Sequence, residues 1–194
     1  MQQWASFPLR LSAEEVRVMV GMNDLQDATG QVGSVEHIII HEGYNAITKA
    51  NDLALLKLSQ PLVMEEGKVE TLGLPLEGEV LEPDVPCTIV GWGAVTESGG
   101  VHDILQKLEV KITSQSACEV VYGAAAIQNG MVCAGQGLAG AGACVGDQGN
   151  PLVCSGVLHG VASWGDGCTN SFVPAVYSEV AFFRDWILMQ TIQP

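Results

Sequence analysis

The sequence predicts an all-β protein closed by a single C-terminal helix. Three observations predict it. Short apolar runs recur along the chain, most of them β-branched or alternating. Nearly all are bounded by Gly, Pro, Asn or Asp. Only the last stretch changes to a helical period. In order, the runs are 16–21, 34–40, 52–58, 87–93, 104–112, 131–135, 151–154, 157–165 and 174–180. Strands at this spacing imply an antiparallel sandwich or barrel. Val180, Phe183, Trp186, Ile187 and Leu188 recur at helical spacing, which predicts a helix over 179–192. The acidic, proline-bearing segment 76–86 reads either as a connection between two halves or as a surface loop.

Composition narrows the function classes. The 194 residues are 47% apolar, enough for a core, and the 23 glycines read as turns rather than as a linker. No apolar run approaches the roughly 18 residues of a spanning helix. Eight basic residues stand against 22 acidic ones, a net charge of −14. Phosphate recognition needs Lys and Arg, so neither nucleic acid nor an anionic membrane is an expected partner. No cofactor motif and no metal motif occur. His37 and His41 are four apart, but the isoleucines between them predict a strand, where such residues lie about 13 Å apart. His102 reads as a solvated loop residue and His159 as a strand residue with a structural role. The six cysteines, at 87, 118, 133, 144, 154 and 168, form no CxxC pair. An even count in this context predicts three disulfides and an oxidising, extracellular compartment. Residues 1–15 lack the basic and apolar regions of a signal peptide, so either export uses another route or the natural start lies elsewhere.

The segment Gly146-Asp147-Gln148-Gly149-Asn150-Pro151, between Cys144 and Cys154, carries the main resemblance. Glycines flank a central Asp-Gln, and such a loop can present backbone N–H groups to an anion. It resembles the GDSGGP motif of the chymotrypsin/trypsin-like serine peptidases. Further matches follow in family order: Asn51-Asp52-Leu53-Ala54-Leu55-Leu56, Gly91-Trp92-Gly93, Met131-Val132-Cys133-Ala134-Gly135, Ser163-Trp164-Gly165, Ala175-Val176-Tyr177 and the Trp186-Ile187 helix. The resemblance covers about residues 16–192 and implies a chymotrypsin-like double antiparallel β-barrel with an incomplete first barrel and a C-terminal helix. A partial N-terminal barrel is expected over 1–75. A second barrel with its helix is expected over 76–194, the two forming one peptidase-like domain.

The resemblance also assigns roles, and the departures decide them. Asp52 matches the triad aspartate, a remnant held by hydrogen bonds. Gln148 replaces the nucleophilic serine, and a primary amide cannot be activated by a histidine. No histidine of this sequence falls at the base position. Gly146 and Gln148 match the oxyanion hole. Gly142, Gly165 and Ala175 match the base and walls of the specificity pocket, which is small and uncharged, with Ser163 and Trp164 beside it. Trp164 is read either as a groove residue or as core. Asp147 matches the carboxylate that receives the activating N-terminal amine. Without that amine it is expected to be a buried, unpaired and costly charge. The family pattern implies the bridges Cys87–Cys154, Cys118–Cys133 and Cys144–Cys168.

The implied function is a non-catalytic serine-peptidase homologue, secreted, that binds a peptide or protein segment in the substrate groove or acts as a decoy. The alternative is a trypsin-like endopeptidase whose sequence here is a partial or mis-started product. Such a half barrel would expose apolar strand edges and aggregate. A weak peptidase using Ser155 or Ser163 would need a histidine that the pattern does not place in reach.

Overall fold

Alternation decides where the core lies. The computed structural model describes residues 11–94, 100–135, 146–165 and 173–192. Strand β4 (Pro86–Gly91) turns Cys87, Ile89 and Gly91 inward and the residues between them outward. It pairs with β5 (Gln106–Thr113), which buries Val110 and Ile112 in the same way. Four more strands follow: β6 (Met131–Gly135), β7 (Pro151–Cys154), β8 (Val157–Trp164) and β9 (Ala175–Glu179). They close a barrel in the order β4-β5-β6-β9-β8-β7, every neighbouring pair antiparallel. Its interior is built on Cys87, Ile89, Val110, Ile112, Leu152 and Tyr177. Cys87 and Cys154 face each other in register on β4 and β7 and are bonded, as the resemblance implies.

The N-terminal part forms a separate antiparallel sheet of β1 (Arg17–Val20), β2 (Gln31–Ile40) and β3 (Ala54–Leu58), in that order. Strand β2 begins earlier than the apolar run at 34 predicts, because its first residues pair with β1, Gln31 opposite Val20. One face of this sheet is open. Met19 and Val32 oppose each other in register, and both are exposed, as are Leu56 and Ile40. Residues 59–85 run from β3 of the sheet to β4 of the barrel; the part 76–85 is mostly exposed, as a surface loop is, and Pro86 already opens β4.

Helix α2 (Val180–Ile192) joins the two parts. Val180, Phe183, Trp186 and Ile187 are buried against Leu53 and pack on Ile39, Leu55, Leu158 and Val161. These are four of the residues whose spacing predicts the helix. A second helix, α1 (Gln115–Tyr122), is not among the elements read from the sequence; its one buried residue is Cys118, and Val120 is exposed. Ser114 caps it by accepting from the Ala117 N–H at 3.2 Å, and the Cys118–Cys133 bond ties it to β6. The cap is a local bond and the disulfide a tertiary one, and together they supply what the short helix lacks in propensity.

The connection is held to the barrel by polar contacts. The Leu158 N–H donates to Gly73 O at 3.0 Å, and Glu79 lies 3.8 Å from the buried His159 imidazole. Desolvation holds His159 below its ordinary value of 6.5, and Glu79 opposes this by the smaller amount. The unfolded chain therefore binds the proton better. Stability from this group is complete above 6.5 and is lost as pH falls toward the depressed folded value. His159→Gln is expected to show a smaller drop in Tm than the wild type between about pH 7.5 and pH 5. Parallel Tm profiles for the two proteins would refute this.

Candidate active site

Loop 146–150 is a tight turn fastened to two strands. Gly146 and Gly149 adopt φ of 91° and 90°, a region that favours glycine. The Gly149 N–H donates to Ala162 O at 2.8 Å, and the Ala162 N–H donates back to Asn150 O at 2.9 Å. The loop thus lies against β8, one residue before Ser163. The Asn150 N–H closes the turn onto Asp147 O at 2.9 Å. Gln148 sits at the exposed crest of this turn.

Asp147 is half-buried and is not the unpaired charge expected from the sequence. Its Oδ1 accepts from the Gly93 N–H at 3.2 Å and from the Asn150 side-chain amide at 2.6 Å. The expectation fails because it considered only an amine as partner, whereas a backbone amide and a carboxamide stand there. Tyr177 is nearby. Burial first, and the Asp147 charge second, push its phenol well above the ordinary tyrosine value. Among the described residues its hydroxyl has no hydrogen-bond partner.

Asp52 is brought to the same face. Its Oδ2 accepts from Ser163 Oγ at 2.6 Å, and its backbone carbonyl accepts from Ser178 Oγ at 2.7 Å. Asn51 precedes it at φ 52°, which turns the chain sharply after the 41–51 loop. Asp52, Ser163 and loop 146–150 therefore converge on the end of β8. Trp164 is half-buried and meets the Tyr122 ring edge-on, with centroids 4.9 Å apart, while Gly165 emerges exposed. Ala175 is buried opposite Ala134. At Gly165 a Cβ would lie 3.0 Å from Ala175 Cα and 3.1 Å from the Tyr122 hydroxyl, a tight fit at a φ of 138° that itself favours glycine. Gly142, Cys144 and Cys168 lie outside the described residues.

The histidines are engaged elsewhere. His37 pairs across to Lys57 on the sheet and lies 3.5 Å from Glu36. His41 packs on Trp186 and Phe183 at 4.8 and 5.4 Å. His102 is half-buried rather than fully solvated, because its N–H is drawn onto Trp92 O at 2.8 Å. His159 is buried beneath the connection.

The sequence pattern of the Trypsin family matches residues 9–187. The chain belongs to the trypsin family. It is 37% identical over 179 residues to trypsin eta of Drosophila melanogaster, a match spanning 92% of this chain and 68% of the relative. Its identity to trypsin I-P1 of Gallus gallus is 36% over 188 residues, spanning 95% and 74%. Among solved structures it is similar to neuropsin, a serine protease expressed in the limbic system of mouse brain. That match has a TM-score of 0.84 and 34% identity, and covers 90% of this chain and 78% of neuropsin. Family membership makes proteolysis the background against which position 148 is read.

Sequence reasoning does not reveal two contributors to the site and one to the junction of sheet and barrel. Asn150 was visible only as a departure from a glycine. Tyr122, whose hydroxyl donates to Pro174 O at 2.6 Å, lies on the unforeseen helix α1. At the junction the Trp186 indole, which helical spacing alone marks, donates to Glu42 at 2.9 Å.

Proposed function

We propose that this trypsin-family chain binds a peptide or protein segment in the groove formed by Ser163, Trp164, Gly165 and Gln148, and does not cleave it. One observation carries the reading: glutamine occupies the crest where the family places its nucleophile. A carboxamide donates and accepts hydrogen bonds, but it has no proton whose removal yields a competent acyl-transfer nucleophile. The Asp52–Ser163 contact and the fastened loop support a groove wall that persists without that nucleophile. We also infer an extracellular location, to which the two disulfides among the described residues lend support. Glycine at 142 and alanine at 175 suit a small or apolar side chain better than a cationic one.

A fluorophosphonate probe is expected to leave the 194-residue chain unlabelled under conditions that label trypsin completely. Gln148→Ser in the same chain is expected to give no measurable hydrolysis of a chromogenic ester, because none of its four histidines falls at the family's base position. Labelling of the wild type would overturn the reading, and turnover by the variant would show that a base is within reach.

A further inference from the structure

We propose that Asn150 is a positioning residue whose side-chain amide holds the Asp147 carboxylate and so sets the shape of loop 146–150 that a groove ligand meets. The inference rests on the binding reading above but is tested independently of it. Asn150 grips Asp147 twice, its backbone N–H on the carbonyl at 2.9 Å and its Nδ2 on Oδ1 at 2.6 Å. The same residue passes the constraint to β8, where its carbonyl accepts from the Ala162 N–H at 2.9 Å. The opposite wall is cut away to admit this pair. A Cβ on Gly91 would overlap both the Asn150 amide and the Asp147 carboxylate, and one on Gly93 would overlap the carboxylate. Both glycines are buried, so the space they leave is filled by this contact rather than by solvent.

The chemistry explains the substitution. In the GDSGGP pattern the residue at position 150 has no side chain, and the aspartate must find its cation elsewhere. Here the short carboxamide supplies a neutral donor from within the loop itself, and a carboxylate acceptor makes that bond short and strong. The two departures in one motif thus act together. Gln148 removes the reacting group, and Asn150 keeps the loop formed whether or not an amine reaches Asp147.

Asn150→Asp keeps the shape and exchanges the donor for a second carboxyl group. Among the described residues Tyr177 is a titratable group that feels the Asp147 charge, and its raised phenol stays neutral throughout the range used. Two carboxylates at hydrogen-bond distance cannot both ionise without strong repulsion. Amide exchange of Gly149 and residue 150, taken relative to wild type at the same pH, reads the effect. Protection is expected to be near wild type at about pH 4, where a shared proton restores a donor, and to fall by about tenfold or more at about pH 8. Equal protection at both pH values, whether retained or lost, would overturn the proposal. Asn150→Gly provides the second reading, with loss of about tenfold or more confined to the loop while β4–β6 stay protected. Full protection in that variant would also overturn it. Ligand binding enters neither measurement, so failure of the groove reading and failure of the Asn150 role are distinguishable.

Discussion

Alanine at position 93 is expected to destabilise the protein by about 3 kcal/mol, the upper part of the usual range for overpacking. Gly93 is buried, and its N–H is one of the donors to Asp147. A methyl group there would occupy the place of the carboxylate, with Oδ2 only 2.7 Å away. Either Asp147 is expelled from its donors or the turn after β4 shifts. Both routes lose the hydrogen bonds that compensate a partly buried charge. Urea denaturation measures the cost, and Gly73→Ala is the control, because a Cβ there meets nothing within 4 Å. The mechanism also predicts non-additivity. Asp147→Ala removes the colliding group, so Gly93→Ala should be much less harmful in that background. A Gly93→Ala protein within about 0.5 kcal/mol of the Gly73→Ala control would refute this account.

The contrast between Gly93 and Asn150 shows what a sequence reveals of such a site. Position 93 is legible through the Gly91-Trp92-Gly93 motif, and the strand around it through its alternation. Strands β4, β7 and the end of β5 announce themselves because they bury every second residue, a period that survives in one dimension, whereas β6 and β9 bury consecutive residues and are legible only as short apolar runs. The helix α2 announces itself at its own period. What stays hidden depends on partners far apart in sequence. Gly93 and Asp147 are brought together only by barrel closure, so the sequence alone suggests an unpaired charge where there is a paired one. Helix α1 is hidden for the same reason, since its one buried residue is a cysteine bonded across to β6. Of the pairs implied by the resemblance, Cys87–Cys154 is formed where β4–β7 register places the Cα atoms 4.2 Å apart, and Cys118–Cys133 where helix α1 packs on β6 with the Cα atoms 6.4 Å apart.

Trp186→Ala is expected to have the second large effect, about 3–5 kcal/mol, and to act at the junction between sheet and barrel. The indole is buried among Leu53, Val180, Phe183 and Ile187. Its Nε1 donates to Glu42 at 2.9 Å, and its ring lies 4.8 Å from His41. Glu42 is held below the ordinary carboxylate value first by a backbone N–H and then by this indole. One side chain therefore anchors the end of β2 and the start of the following loop onto a helix that itself packs against β8. Truncation leaves a cavity on the barrel side and frees the sheet, whose opposite face is already exposed at Met19, Val32 and Leu56. Amide exchange should rise first on β2 and β3 and only later on β4–β9. Trp186→Phe retains most of the apolar area and loses the indole donor, so it should cost only about 1–2 kcal/mol and keep the sheet protected. If truncation instead raised exchange equally in sheet and barrel, the two would unfold as one cooperative unit. The Asp52–Ser163 and Asp52–Ser178 bonds, rather than Trp186, would then be the contacts that join them.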